Sequence, residues 1–174
     1  MSSLFLPAYR FTSVTELTTE RLHAMQIDSL LLDVDCTLKT FCSSELEPQI
    51  FLWLAMQKAA GVGLCLLSNG RAKRIEPFAE MIGVPYVAPA LKPLPFGVWK
   101  AVRKMNFDPK RTALVGDQIF ADVMAANLAG VVSVLVSPFN PEMEPFYARW
   151  KRPFERLVLR RHPCGVLQSP RKFI

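Results

Sequence analysis

Short, continuous apolar runs alternate along the chain with longer segments in which apolar residues recur at helical spacing. Ser29-Leu30-Leu31-Leu32-Asp33-Val34 is an apolar run that stops at polar residues, the pattern of a buried strand. Pro48 to Ala60 carries Ile50, Phe51 and Leu54 at helical spacing and ends at Gly61, which predicts a helix closed by a glycine. Val62 to Leu67 predicts a second strand, Arg71 to Ile82, closed by Gly83, a second helix, and Val84 to Ala88 a short third strand. Pro93 to Met105 predicts a third helix with Pro95 in its first turn. Thr112 to Val115, Ile119 to Ala129 and Val131 to Val136 follow as strand, helix and strand. This alternation predicts an α/β fold: a doubly wound, mainly parallel five-stranded sheet with helices on both faces.

Composition supports one such domain over residues 1–174. The chain has 174 residues and 19.6 kDa, enough for a single core. With 51% hydrophobic and 21% charged residues it is globular in composition. The apolar stretch from Leu128 to Val136 is far short of the about 20 residues a membrane helix needs. Met1 to Arg10 lacks a basic start followed by an apolar segment, so no signal peptide is predicted. Cys36, Cys42, Cys65 and Cys164 are scattered, which suits a reduced cytoplasmic chain and disfavours a disulfide scaffold or zinc ribbon. With only His23 and His162 present, machinery built on histidine is disfavoured as well.

Ligands of parallel α/β sheets bind beyond the carboxyl ends of the strands, so the polar residues there carry the functional reading. The first strand ends in Asp33-Val34-Asp35-Cys36-Thr37 and the second in Ser68-Asn69-Gly70. Lys92-Pro93 follows the third, and Gly116-Asp117 follows the fourth, with Asp122 five residues later. Along one sheet edge these would form a single site holding Asp33, Asp35, Ser68, Lys92 and Asp117. Three carboxylates in one site repel one another unless a cation lies among them, and hard oxygen donors without His or Cys favour Mg²⁺ over zinc. A lysine and a hydroxyl beside such a metal suit a phosphate. One Asp can then attack phosphorus to give an aspartyl-phosphate, and a second, two residues on, can protonate the leaving oxygen and later deprotonate water.

Asp33-x-Asp35-x-Thr37, Ser68-Asn69, Lys92-Pro93 and Gly116-Asp117-x4-Asp122 resemble, in order, the four motifs of the haloacid dehalogenase superfamily of phosphatases. The resemblance implies that Asp33 is nucleophile and metal ligand, and that Asp35 is the acid/base whose backbone carbonyl also meets the metal. It implies that Thr37 supports the motif turn, that Ser68 and Lys92 hold the phosphoryl group with Asn69 beside them, and that Asp117 completes the metal site. Asp122 is expected to orient Asp117 or a metal-bound water. The gaps from Asp35 to Ser68 and from Asn69 to Lys92 each hold one helix and one strand, with no room for a mobile cap domain. An open site favours a large substrate or one presented at a surface. Leu6-Pro7, Thr19-Glu20-Arg21-Leu22 and Gly116-Asp117-Gln118 further resemble the capless subclass IIIA, which includes phosphatidylglycerophosphate phosphatases. Cys36 and Gly70 depart from it, standing where Asn is common.

Charge is distributed unevenly. The net +6 comes from the end of the chain: Arg149 to Ile174 holds eight Lys or Arg against the single acid Glu155. Within the segment 142–174, Phe146, Trp150, Phe154, Leu157 and Val158 recur at helical spacing, with Arg149, Arg152, Arg156 and Arg160 on another face. This basic amphipathic segment reads as a helix packing its aromatics on the sheet, or as peripheral contact with an anionic membrane through Arg149–Arg161. No nucleic-acid motif accompanies it, and no nucleic acid is expected as partner. The combined expectation is a Mg²⁺-dependent phosphomonoesterase acting on phosphatidylglycerophosphate at the cytoplasmic membrane face. The alternatives are a soluble phosphatase for a nucleotide, sugar phosphate or phosphoprotein, and a non-catalytic module docking an acidic partner through the basic tail.

Overall fold

The computed structural model of the chain describes residues 3–40 and 46–139. The leucine run folds as strand β2 (Ser29–Leu32), with all four residues buried. Leu30 and Leu32 enter the core on one face of the sheet and Leu31 enters the core on the other, the side-chain alternation of a strand covered on both sides. The same division holds in β3 (Gly63–Leu67), where Leu64 and Leu66 oppose Cys65 and Leu67, and in β5 (Thr112–Gly116), where Ala113 and Val115 oppose Leu114.

Helices α1 (Thr19–Ala24), α2 (Pro48–Ala59) and α3 (Ala72–Ile82) cover one face through Leu22, Ile50, Trp53, Leu54, Ile75 and Phe78. Helices α4 (Phe96–Met105) and α5 (Met124–Ala129) cover the other through Val98, Ala101, Ala125 and Ala126. Trp53 is fixed on its face by an indole N–H donated to the Leu17 carbonyl at 2.9 Å. The remaining strands are β1 (Tyr9–Phe11), β4 (Tyr86–Val87) and β6 (Val132–Val136). Their order across the sheet is β1-β6-β5-β2-β3-β4, and every pairing is parallel. From β2 the chain winds outward through β3 to β4, then returns to the other side of β2 for β5 and β6. The winding therefore reverses between β2 and β5, where such sheets open a crevice beyond their carboxyl ends.

The sheet has six strands where the pattern predicts five. The additional β1 is a three-residue edge strand beside β6, too short for its alternation of Tyr9, Arg10 and Phe11 to stand out. Asn127 ties the preceding residues down, donating from Nδ2 to the carbonyls of Leu4 at 2.8 Å and Leu6 at 3.1 Å. Two helices also begin differently. The segment expected to be helical from Pro93 turns first, so that α4 starts at Phe96. The segment from Ile119 opens with a π-wound turn (Ile119–Val123) before α5. Among the described residues, β3 and β4 are joined through α3 with no inserted cap, and no helix is long and apolar enough to cross a membrane. The basic segment expected at 142–174, including Arg149–Arg161, lies outside the described residues.

Candidate active site

Each strand end at the crevice contributes what the sequence places there. Asp33 follows β2, and its backbone N–H still bonds the Val115 carbonyl of β5 at 2.9 Å, which locks it at the switch point. Asp117 follows β5 directly, and Ser68 follows β3. Asp33, Thr37, Ser68, Lys92, Asp117 and Asp122 are all buried. Asn69 is exposed, but its amide grips the lysine's backbone: Nδ2 donates to the Lys92 carbonyl at 2.8 Å, and Oδ1 accepts from the Lys92 N–H at 2.7 Å. This reciprocal pair presents Lys92 to the site from the far side of the β3–β4 edge.

Lys92 Nζ donates to Asp33 Oδ1 at 2.6 Å, to Asp122 Oδ1 at 2.7 Å and to the Leu67 carbonyl at 2.9 Å. All three ammonium protons thus have acceptors, which lets a lysine be buried. Thr37 Oγ1 stands 3.4 Å from both Asp33 Oδ2 and Asp117 Oδ1, bridging the two strand ends. Oxygens of Asp33, Asp117 and Asp122 all lie within 4.8 Å of one another. Three ionised carboxylates against one ammonium leave an excess of two negative charges in a buried site. Two charges, oxygen donors and neither His nor Cys in the group match a divalent hard cation. Without one, burial is the main influence on the Asp33 carboxyl: with the Asp122 charge adding to it and Lys92 opposing, its pKa rises to about 7. Burial disfavours the Lys92 ammonium too, but Asp122 and then Asp33 outweigh that and raise its pKa, so it stays charged.

The π-wound turn explains how Asp122 reaches this centre. The N–H groups of Asp122 and Val123 both bond the Gln118 carbonyl, widening the turn, and Asp122 Oδ2 accepts from the Gln118 N–H at 3.1 Å. The carboxylate packs against Gly116 so closely that any Cβ at that position would overlap it. The resemblance implies that Asp122 orients Asp117 or a metal-bound water, and its carboxylate lies within 4.8 Å of that of Asp117. It also holds the Lys92 ammonium, a contact sequence reasoning did not name.

Asp35 is oriented differently from Asp33. It is partly exposed and pairs with Arg74 of α3, whose Nη1 donates to Oδ1 at 2.9 Å while Nη2 closes on Oδ2. Buried Lys39 stands 3.7 Å from Asp35 Oδ1 and lies over the Phe78 ring. Sequence reasoning named neither cation. The signals were present: Lys39 is four residues after Asp35, and Arg74 lies in the first turn of the helix that follows Ser68-Asn69-Gly70. Gly70 leaves room for the Arg74 guanidinium, which a Cβ there would meet. Between the two aspartates and Thr37, Cys36 adopts φ +63°, a left-handed conformation that asparagine tolerates better than cysteine.

A buried carboxylate cluster with a captive lysine, at the switch point of a parallel sheet, is a phosphoryl-transfer centre in the making. Residues 48–130 match the family of haloacid dehalogenase-like hydrolases. That segment contains Ser68, Asn69, Lys92, Asp117 and Asp122; the sheet brings Asp33 and Asp35, which precede it, to the same place. Over this segment the chain is similar to haloacid dehalogenase-like hydrolases, and together with the site this similarity supports the class, a phosphatase. Over 159 residues it is 28% identical to the probable phosphatase YqeG of Bacillus subtilis, covering 91% of this chain and 92% of that protein. In fold it is similar to an uncharacterized protein from Listeria monocytogenes, with a TM-score of 0.55 at 16% identity, covering 78% of this chain and 99% of that one. A hypothetical protein from Xanthomonas campestris is also similar, with a TM-score of 0.53 at 13% identity over 80% of this chain and 79% of that one.

Proposed function

We propose that this phosphatase is a Mg²⁺-dependent phosphomonoesterase that works through an aspartyl-phosphate on Asp33 and takes phosphatidylglycerophosphate as substrate. The observation that carries the chemistry is the buried group of Asp33, Asp117 and Asp122, with Lys92 held by Asp33 and Asp122 and an excess of two negative charges. Asp33 and Asp117 side chains and the Asp35 backbone carbonyl would hold the metal, and Asp122 lies within reach of the same position. When bound, Mg²⁺ supplies the positive charge this centre lacks and polarises the phosphoryl oxygens.

Ionised Asp33 attacks phosphorus with one carboxylate oxygen, and the bond to the leaving oxygen breaks. Lys92 and Ser68 balance charge on the phosphoryl oxygens as the group moves toward Asp33. Asp35 donates its proton to the leaving alkoxide, then takes a proton from the water that attacks the acyl-phosphate. Inorganic phosphate leaves and Asp33 is regenerated. Arg74 and Lys39 hold Asp35 at the outer, partly exposed end of the site, where the leaving group meets solvent.

The lipid substrate is supported by the uncapped crevice and by the residues resembling the capless group, Leu6-Pro7, Thr19 to Leu22 and Gly116-Asp117-Gln118. A cytoplasmic enzyme working at the membrane face fits the same reading. Phosphate release from phosphatidylglycerophosphate in mixed micelles, with and without Mg²⁺ and beside p-nitrophenyl phosphate, tests it. Strong Mg²⁺-dependent lipid turnover with a poor rate on the soluble ester is the expected result. Equal turnover of soluble phosphate esters would discard the lipid and favour a soluble phosphatase.

A further inference from the structure

The loop that delivers Lys92 to the site has an outer surface the chemistry does not use. Leu91, Leu94 and Phe96 are 57%, 48% and 57% exposed, an apolar cluster at the sheet edge where the crevice opens. The cluster is built rather than incidental. Leu91 has φ +58°, a left-handed conformation that glycine or asparagine would occupy at lower cost, and it carries a bulky apolar side chain into solvent instead. The Leu94 N–H closes the turn onto the Leu91 carbonyl at 2.9 Å. Behind it, Gly97 packs so tightly on Ala90 that a Cβ would overlap the Ala90 backbone. Phe96 stacks edge-on against Trp99, ring centroids 5.8 Å apart, and the Trp99 indole N–H donates to the Ala129 carbonyl at 3.2 Å. The apolar rim is therefore fixed from below.

Charge indicates what this rim meets. From Met81 to Phe107 the sequence contains no Asp or Glu, while Lys92, Lys100, Arg103 and Lys104 lie within it. Lys100 and Arg103 are exposed on α4, the helix that begins at Phe96. Aliphatic and aromatic side chains at a rim, backed by basic residues without an acid among them, complement the interface of an anionic bilayer.

We propose that Leu91, Leu94 and Phe96 form a membrane-docking lip: they insert among the headgroups of an anionic bilayer, and Lys100 and Arg103 meet the lipid phosphates. Docking there sets the mouth of the crevice against the membrane, with Lys92 on the inner side of the same loop. This rests on the proposed lipid phosphatase reading and adds to it the surface by which the enzyme reaches its substrate. The basic tail is not needed for the lip to act.

The test compares the full chain with its Leu94→Ser/Phe96→Ser variant for sedimentation with vesicles of phosphatidylcholine and phosphatidylglycerol, for turnover of phosphatidylglycerophosphate in those vesicles, and for turnover of p-nitrophenyl phosphate. The double variant is expected to lower vesicle partitioning about tenfold or more, with lipid turnover following it and the soluble ester unaffected. Phe96→Trp, which keeps an apolar ring, should partition like the parent and gain a blue-shifted emission on vesicles. Unchanged partitioning of the double variant overturns the lip, as does an absent blue shift. A double variant that converts a dimer to a monomer while still binding vesicles also overturns it, since a second copy then covers the rim. Failure of the substrate reading looks different: partitioning still depends on Leu94 and Phe96, but no phosphate is released from the lipid.

Discussion

At its inner end the site gathers three buried carboxylates, two of them on one ammonium, whereas at its outer end Asp35 shares Arg74 and Lys39 near the solvent boundary. Lys92 and its partners are almost wholly enclosed; the Arg74 side chain is 37% exposed. The inner charges are unbalanced and shielded from water, so they call for a cation and respond strongly to change. The outer charges, one carboxylate against two cations, lie near solvent and are partly screened, so they can position Asp35 without much effect on stability. Two aspartates separated by a single valine thus acquire different work from their surroundings.

The largest expected effect comes from breaking the inner end at its nucleophile. Asp33→Asn should lower turnover about 10⁴-fold or more while the protein still folds. It should also change how stability depends on pH. Without a cation the folded chain holds the Asp33 proton up to about 7, whereas the unfolded chain releases it near the ordinary value of 3.8. Folded protein therefore binds the extra proton between those values, and its stability falls as pH rises through that window. Denaturant titrations across pH in chelator should show this fall in the parent and lose Asp33's share of it in the variant; added Mg²⁺ should restore stability at the upper end.

Lys92→Met is next. It leaves the carboxylates without their internal cation, so turnover should fall about 10²–10³-fold and stability by about 3–5 kcal/mol, read by kinetics and by chemical unfolding. Gly116→Ala acts on the same end indirectly, because the new methyl overlaps the Asp122 carboxylate. A loss of about 1–3 kcal/mol is expected, with kcat falling as Lys92 loses its second acceptor. Arg74→Ala probes the outer end. Its stability cost should stay below about 1 kcal/mol, while kcat on alkyl phosphates drops roughly tenfold or more through a displaced Asp35. Aryl phosphates, whose leaving oxygen needs a proton less, should suffer less. A stability loss as large as that of Lys92→Met would erase the distinction between the two ends.

Much of this was legible along the chain. The runs ending in Asp33, Leu67 and Gly116 placed polar groups at strand ends, and a parallel sheet brings such ends to one edge whatever the details. The strong signals were local: an apolar run, a glycine after a helix, an acid directly after a strand. What escaped were pairings across long separations. Arg74 meets Asp35 across 39 residues and Lys92 meets Asp122 across 30, and neither partner is marked by its own neighbours. The pattern also places Leu94 in a helix beginning at Pro93, whereas α4 begins at Phe96, and an apolar residue in a proline-rich run carries no sign of which way it faces.

The sequence by itself determined the order of elements, the two-sided burial of the central strands and the chemical types gathered at their ends. Those follow from periodicity and from the energetic demand that apolar runs leave water. Only the tertiary structure decided that Asp122 doubles back through a π-wound turn to hold Lys92, that Arg74 crosses Gly70 to reach Asp35, and that Leu91, Leu94 and Phe96 stay outside. Each of these depends on distances between segments far apart in the chain, and such distances exist only once the sheet has closed and its helices have packed.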